Sequence, residues 1–228
     1  MVVNFVVGMT SDKKLNDDIL KESQQYGDIL RGEFMDAYRN MTLKALLVLK
    51  YTIEHCKQVP FLVKSDDDML INIPYLVRVL RTQSPLKRSI IGNKNVFMPV
   101  LREGKWEISV QDFPFEYFAP YVSGAAYVMT TDILEELYVT SKHVPWIFID
   151  DAHITGTLAR ICNVTVLDIC EVAKLTTLFG SPSFCDVILQ RTVFKTDAFP
   201  ERLTDIWNKL RTYTETDLEK CKNETNMH

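Results

Sequence analysis

Residues 60–73, reading PFLVKSDDDMLINI, constrain the fold more than any other stretch. An apolar run, Phe61-Leu62-Val63, passes through Lys64-Ser65 into three consecutive carboxylates, Asp66, Asp67 and Asp68, and apolar residues resume at once with Met69-Leu70-Ile71. A short apolar run bounded by polar residues is the signature of a buried strand. Side chains alternate along an extended chain, so Asp66 and Asp68 are expected on one side with Asp67 opposed. Carboxylates gathered at the end of a buried strand repel one another unless a cation sits between them. Oxygen ligands suit a hard divalent ion such as Mg²⁺ or Mn²⁺, which commonly completes its shell with phosphates. An acidic turn or a helix N-cap explains the same triplet, since Asp is favoured in both and Pro74 follows closely. An EF-hand does not, because neither the Gly nor the closing Glu of its loop is present.

The flanking pattern sets the fold class. Residues 2–7 read as an apolar strand ending at Gly8, and Ser11 or Asp12 caps a helix over 13–26 that Gly27 stops. Residues 28–30 form another short strand. The strongest helical pattern covers 41–56, with Leu43, Leu46, Leu47, Leu49, Lys50 and Ile53 on its face. Strand-helix-strand-helix-strand order predicts an α/β sheet with parallel neighbours. The acidic triplet then stands at a strand's carboxyl end, where open α/β sheets bind ligands. Downstream, the pattern predicts a helix over 74–81, a strand over 89–92, and aromatic β-structure with long loops over 97–118. A strand over 121–130 contains the small residues Ser123-Gly124-Ala125-Ala126, which permit close approach of a ligand or another backbone. A helix over 131–142 follows, then an apolar run over 146–149 that delivers Asp150-Asp151 ahead of a helix over 155–161. Capping of that helix is an alternative use for the second acidic pair. Mixed short strands lead to residue 194, Pro200 opens a helix over 200–210, and a polar, frayed tail covers 212–228. Without repeats or a linker, one domain over 1–211 plus the tail is expected.

Bulk properties narrow the function. The net charge of −4 gives no electrostatic footprint for nucleic acid. No run approaches the roughly eighteen apolar residues of a membrane helix, and the N-terminus lacks the basic start of a signal peptide, so a soluble chain is expected. The five cysteines show no zinc-site spacing and fit either buried thiols or two disulfides with one thiol left over. Three N-glycosylation sequons, at Asn40, Asn163 and Asn223, together with the cysteines lean towards a secretory compartment.

Several weak motifs occur in a fixed order. Glu22-x-x-x-Tyr26-x-Asp28-Ile29 precedes Phe34-x-Asp36-x-Tyr38-x-Asn40-x-Thr42-Leu43-Lys44, then Lys64-Ser65-Asp66-Asp67-Asp68. Lys105-Trp106-x-x-Ser109, Pro120-Tyr121-x-Ser123-Gly124-x-x-Tyr127-Val128, Asp150-Asp151 and Gly156 follow. From residue 2 to 210, this set resembles the β-1,3-galactosyltransferase family, which includes β-1,3-N-acetylglucosaminyltransferases and the more distant Fringe proteins. The resemblance implies a single-domain α/β fold of GT-A type, a Rossmann-like mixed sheet flanked by helices. It also implies an inverting hexosyltransferase that moves galactose or N-acetylglucosamine from a UDP-sugar to a glycan acceptor in a β-1,3 linkage. By carry-over, Asp68 holds Mn²⁺ against the diphosphate, and Asp66 contacts the ion's waters or the nucleotide sugar. Asp67, Lys44, Ser123 and Gly124 belong to donor binding, Asp151 is the general base, and Trp106 and Tyr121 offer flat faces to a sugar.

Departures from the family pattern set the alternative. Members carry an N-terminal anchor, a stem and an Arg-rich motif before the first strand read here, which implies a type II Golgi protein of which this chain is an N-terminally truncated part. Asp150 replaces the usual Glu, Val122 replaces a Cys, and the interval from Asp151 to Gly156 is one residue longer than usual. Residues 190–199 hold no histidine, where members carry one that is a plausible metal ligand. These departures support, as the alternative, a catalytically degenerate relative that binds glycans or a partner enzyme. A plain globular domain with acidic caps explains each motif singly but not their order.

Overall fold

The architecture is organised by one strand. β6 (Tyr121–Thr130) lies inside a four-stranded sheet of order β3-β6-β5-β7. It pairs antiparallel with β3 (Phe61–Ser65) on one side and β5 (Ser89–Asn95) on the other, and β5 pairs parallel with β7 (Thr165–Asp168). The computed structural model describes residues 1–83, 85–173, 182–195 and 199–225. Part of the expected short-strand region (174–181), part of the histidine-free stretch (196–198) and the end of the tail (226–228) lie outside the described residues.

Both faces of the sheet are covered, and neighbouring residues divide between them as the pleat requires. Ile90, Tyr127 and Met129 enter a core with α2 (Met41–His55), α4 (Leu134–Ser141) and the helical segment 152–161. Ile91, Ala126 and Val128 enter a second core with α3 (Ile73–Thr82) and α6 (Ile169–Ala173). The result is the mixed α/β, GT-A type, single-domain arrangement that the sequence implies.

The uniformly parallel neighbours expected from element order are not what forms. β1 (Phe5–Met9) and β2 (Ile29–Met35) do make a parallel pair across the helix α1 (Lys13–Tyr26). β3, however, pairs antiparallel with β6, from Phe61↔Thr130 to Ser65↔Ala126. That choice matches two apolar strands residue for residue, leaving β3 half-buried beside the more deeply buried β6. β2 also runs beyond the three residues predicted.

Caps explain where the helices begin. Asp12 Oδ1 accepts from the amides of Lys14 (2.8 Å) and Leu15 (3.2 Å), and Gly27, at φ 68°, ends α1 in the left-handed region. α3 is capped by Asn72, which accepts from the Tyr75 amide, with Pro74 in the first turn. The acidic triplet is therefore not a helix cap.

The buried stripe of α2 is Thr42, Ala45, Leu49 and Thr52, so the predicted leucine face is rotated, with Leu43 and Leu47 at its flanks and Lys50 exposed. The second acidic pair opens its helix earlier than predicted. Helical backbone starts at Asp150, continues as a π-helix over Ala152–Leu158 and closes as α5 (Ala159–Ile161). The short strands expected near the C-terminus give way largely to helices, with α6 and α7 (Phe184–Ile188) ahead of a two-residue β8 (Phe194–Lys195). β8 pairs with β4 (Leu70–Ile71), directly after the acidic turn. Beyond α8 (Pro200–Thr212), the expected frayed tail contains α9 (Glu215–Thr225), tied back to α7 by a Cys185–Cys221 disulfide. A covalent tether supplies the order that the polar composition of α9 does not.

Leu137 is fully buried where α4 meets the first core. Leu137→Ala should cost about 2–5 kcal/mol, read from the urea unfolding midpoint. The exposed Lys50→Ala on α2 should stay within about 0.5 kcal/mol of the parent.

Candidate active site

β3 ends at Ser65, and the chain turns through Asp66, Asp67 and Asp68. The extended alternation predicted for these carboxylates stops with the strand: Asp66 is half-buried, while Asp67 and Asp68 are both exposed. The turn is fixed to β6 by the Asp66 amide, which donates to the Ala125 carbonyl at 2.8 Å. Lys64 projects into the same place. Its ammonium pairs with Asp66 Oδ1 at 2.5 Å and also donates to the carbonyl of Gly124, with only 16% of its side chain exposed.

Gly124 carries the connection to the second acidic pair. Its amide donates to Asp151 Oδ2 at 2.7 Å, and the Ala152 amide donates to Asp151 Oδ1 at 2.7 Å. Asp151 thus caps its helix and also bonds across to the sheet. A Cβ at position 124 would stand 3.1 Å from Asp151 Oδ2, a tight contact that glycine avoids. Thr155 completes the joint, accepting from the Val122 amide at 3.0 Å and donating to the Asp151 carbonyl at 2.7 Å.

Burial governs the electrostatics of this centre. The Asp151 carboxyl is pushed up to about 6, first by burial and then by the charge of Asp150; the Ala152 and Gly124 amides and Lys64 oppose the shift. Burial likewise raises Asp150, against the pull of Lys64, and its Oδ2 is buried with no hydrogen-bond partner. The Tyr121 phenol is driven to about 12 by burial and by Asp151, so it stays protonated beside that carboxylate. His153, next along the helix, is driven by burial down to about 4 and stays neutral, with its Nε2 unpartnered.

An aromatic wall stands near these carboxylates. Tyr38 accepts a hydrogen bond from Trp106 Nε1, Lys105 Nζ lies 4.6 Å from the centre of the Tyr38 ring, and the Phe148 ring sits edge-on at 6.0 Å. Burial raises the Tyr38 phenol; the Trp106 bond opposes that, and the charges of Asp151, Asp150 and Asp66 add to it. Trp106, at 47% exposed, offers a face to solvent, whereas Tyr121 is half-buried.

The structure therefore gathers Asp66, Gly124 and Asp151 into one bonded unit, with half-buried Ser123 adjacent to it. Lys44 is not part of that bonded unit; it pairs with Asp36 at 2.8 and 2.9 Å, where Asp36 follows the end of β2. Asp36 also accepts from the Gly8 amide at 2.8 Å; burial raises its carboxyl, but this amide and Lys44 outweigh it and hold it below the ordinary range. Lys64, Tyr38 and His153 were not among the predicted site residues. A signal for Lys64 existed: a lysine inside an apolar strand, two residues before a carboxylate, shares that carboxylate's face.

Among the described residues, no group of three or more His, Cys, Asp or Glu side chains is arranged to hold a metal ion. Asp67 and Asp68 are exposed oxygen donors without hydrogen-bond or ion-pair partners, and Asp66 shares its charge with Lys64. Such a donor set fits a hard divalent ion that brings most of its shell as phosphates and water, and does not fit a cage built by protein alone.

Comparison with known proteins identifies the family. The galactosyltransferase family model matches residues 1–169. The chain is 31% identical over 209 residues to β-1,3-galactosyltransferase 5 of Homo sapiens, covering 90% of this chain and 66% of that protein. It is 28% identical over 213 residues to β-1,3-galactosyltransferase brn of Drosophila melanogaster, covering 91% and 63%. With UDP-GalNAc:β-1,3-N-acetylgalactosaminyltransferase 1 of Rattus norvegicus it shares 29% identity over 213 residues, covering 82% and 64%. The chain thus spans just under two thirds of the length of these relatives. On the extent of these matches, the chain belongs to the galactosyltransferase family of glycosyltransferases.

Proposed function

We propose that this protein transfers a hexose from a UDP-sugar to a hydroxyl of a glycan acceptor, inverting the anomeric configuration to give a β-1,3 linkage. The observation that carries the reading is Asp151: a half-buried carboxylate oriented by two amide donors and linked through Gly124 and Lys64 to the acidic turn. The names of the relatives support the donor and linkage classes, since they include β-1,3-galactosyl transfer and UDP-GalNAc.

Asp151 serves as the general base. Each of its oxygens accepts one amide and retains lone-pair capacity for a proton. As the acceptor oxygen attacks the anomeric carbon, its proton passes to Asp151 and the bond to the UDP oxygen breaks on the opposite face. UDP leaves with that electron pair, so a single displacement turns an α-linked donor into a β-linked product. A carboxyl pushed to about 6 is a better proton acceptor than an ordinary aspartate and is still mostly ionised at neutral pH. Asp150 contributes through its charge, which raises Asp151. Asp68, with Asp66 and Asp67 beside it, would hold a divalent cation such as Mn²⁺, which when bound supplies Lewis-acid neutralisation of the leaving diphosphate. Tyr38 and Trp106, both solvent-accessible, supply a face against which an acceptor sugar can stack. The compartment that fits this role is the Golgi lumen. Among the described residues no helix is long and apolar enough to cross a membrane.

Asp151→Asn should lower kcat by about 10²–10⁴ while UDP affinity is retained; retained turnover would remove Asp151 from the role of base. The base must be ionised to act. Activity should therefore be flat above neutrality and fall by about tenfold per pH unit below pH 6, a limb that Asp151→Asn abolishes. Calorimetric titration of UDP with and without Mn²⁺ tests the acidic turn. Asp68→Ala should remove the metal-dependent part of the affinity, and an unchanged metal effect would refute its ligand role.

A further inference from the structure

The three sequons are not equivalent once folded. At Asn40 the amide group donates to the Met35 carbonyl at 2.9 Å, and the Thr42 hydroxyl of the same sequon is 0% exposed and committed to the Ile147 carbonyl at 2.6 Å. Asn40 also stands two residues from Tyr38, so a saccharide there would crowd the aromatic wall of the site. Asn223 lies on α9, and the side chain of its Thr225 is outside the described residues.

Asn163 is different. It occupies the turn between α5 and β7 at φ 53°, a left-handed conformation that asparagine tolerates better than most residues. Its side chain is exposed and makes no hydrogen bond. Val164 is buried, whereas Thr165, the hydroxyl residue of the sequon, is exposed with its side chain uncommitted. Asn163 and Thr165 are thus both open to solvent on either side of the buried Val164. The turn explains an asparagine at 163 but does not require a hydroxyl at 165.

The sheet places this turn far from the chemistry. Thr165 pairs with Ser89 at the start of β5, the edge at which Phe61 pairs with Thr130. The acidic turn leaves β3 at the other end, where Ser65 pairs with Ala126, about 13 Å further along at the usual rise per strand residue.

We propose that Asn163 is an N-glycosylation site and that its glycan projects from the end of the sheet opposite the active site. The transfer joins Asn163 Nδ2 to the anomeric carbon of a lipid-diphosphate-linked oligosaccharide. The anomeric carbon–oxygen bond to the diphosphate breaks, the diphosphate leaves with its electron pair, and one amide proton passes to a base of the transferring enzyme.

The proposal rests on the lumenal placement in the preceding reading, so the experiment supplies that placement separately. The full chain is secreted from eukaryotic cells behind an appended signal sequence, and glycans are released by amidase in ¹⁸O water before peptide mass spectrometry. Most molecules should carry ¹⁸O-labelled Asp at position 163. Thr165→Val, which leaves the turn residue in place, should lose the label at 163 and the mass of one glycan. Asn163→Asp, which also tolerates the left-handed turn, should show the same mass loss. An unlabelled Asn163 in secreted protein overturns the proposal.

Discussion

Burying two adjacent carboxylates next to a third is the constraint on which the rest of this structure depends. Asp150 and Asp151 lose most of their hydration, and a desolvated charge costs several kcal/mol unless bonded groups replace the water. Gly124 resolves much of this with its own backbone: its carbonyl holds Lys64 and its amide holds Asp151. The ammonium of Lys64 lowers both Asp150 and Asp151 while pairing with Asp66. A single peptide unit on the central strand thus fixes the relative positions of two acidic segments more than eighty residues apart in sequence. Any displacement of β6 would move both at once.

The need to hold β6 still explains the covering of both sheet faces. A strand with one solvated face can slide or twist against its neighbours, whereas one buried on both faces has its register set twice. Ile90 and Ile91, both 0% exposed, show the division in adjacent residues, one in each core. Gly92, next along, allows Val122 to approach so closely that an added Cβ would lie 2.9 Å from the valine's own. Rigid packing behind the site and an open aromatic wall in front give a fixed carboxylate and an accessible aromatic face.

Local signals in the sequence carried the acidic turn, the crossover helix with its Asp12 cap and Gly27 stop, and the span of β6. Each depends on neighbours a few residues apart, within reach of periodicity and capping chemistry. What escaped was non-local. The antiparallel match of β3 to β6 is decided by strands about sixty residues apart, and element order alone favoured parallel neighbours. Five cysteines allow many pairings, and only the approach of α9 to α7 selects Cys185 with Cys221. The same holds in the site: Asp66 and Asp151 were legible as acidic residues at element ends. Lys64 and Tyr38 gained their places from contacts with residues distant in the chain.

The π-helix after Asp151 has a consequence for the length of this segment. In an α-helix, positions five apart lie about 140° from one another, so Asp151 and Gly156 would face different directions. Bonding from each residue to the fifth beyond it brings such positions back to nearly the same side. Here both do meet the sheet: Asp151 at Gly124, and Gly156 so close to Tyr121 that a Cβ would approach the tyrosine's to 3.0 Å. The wider turn therefore lets both ends of this interval reach the sheet. Spacing in this segment is consequently a poor guide to function, because insertion or loss of a residue can be accommodated by interconverting two helical pitches while the carboxylate stays where it is.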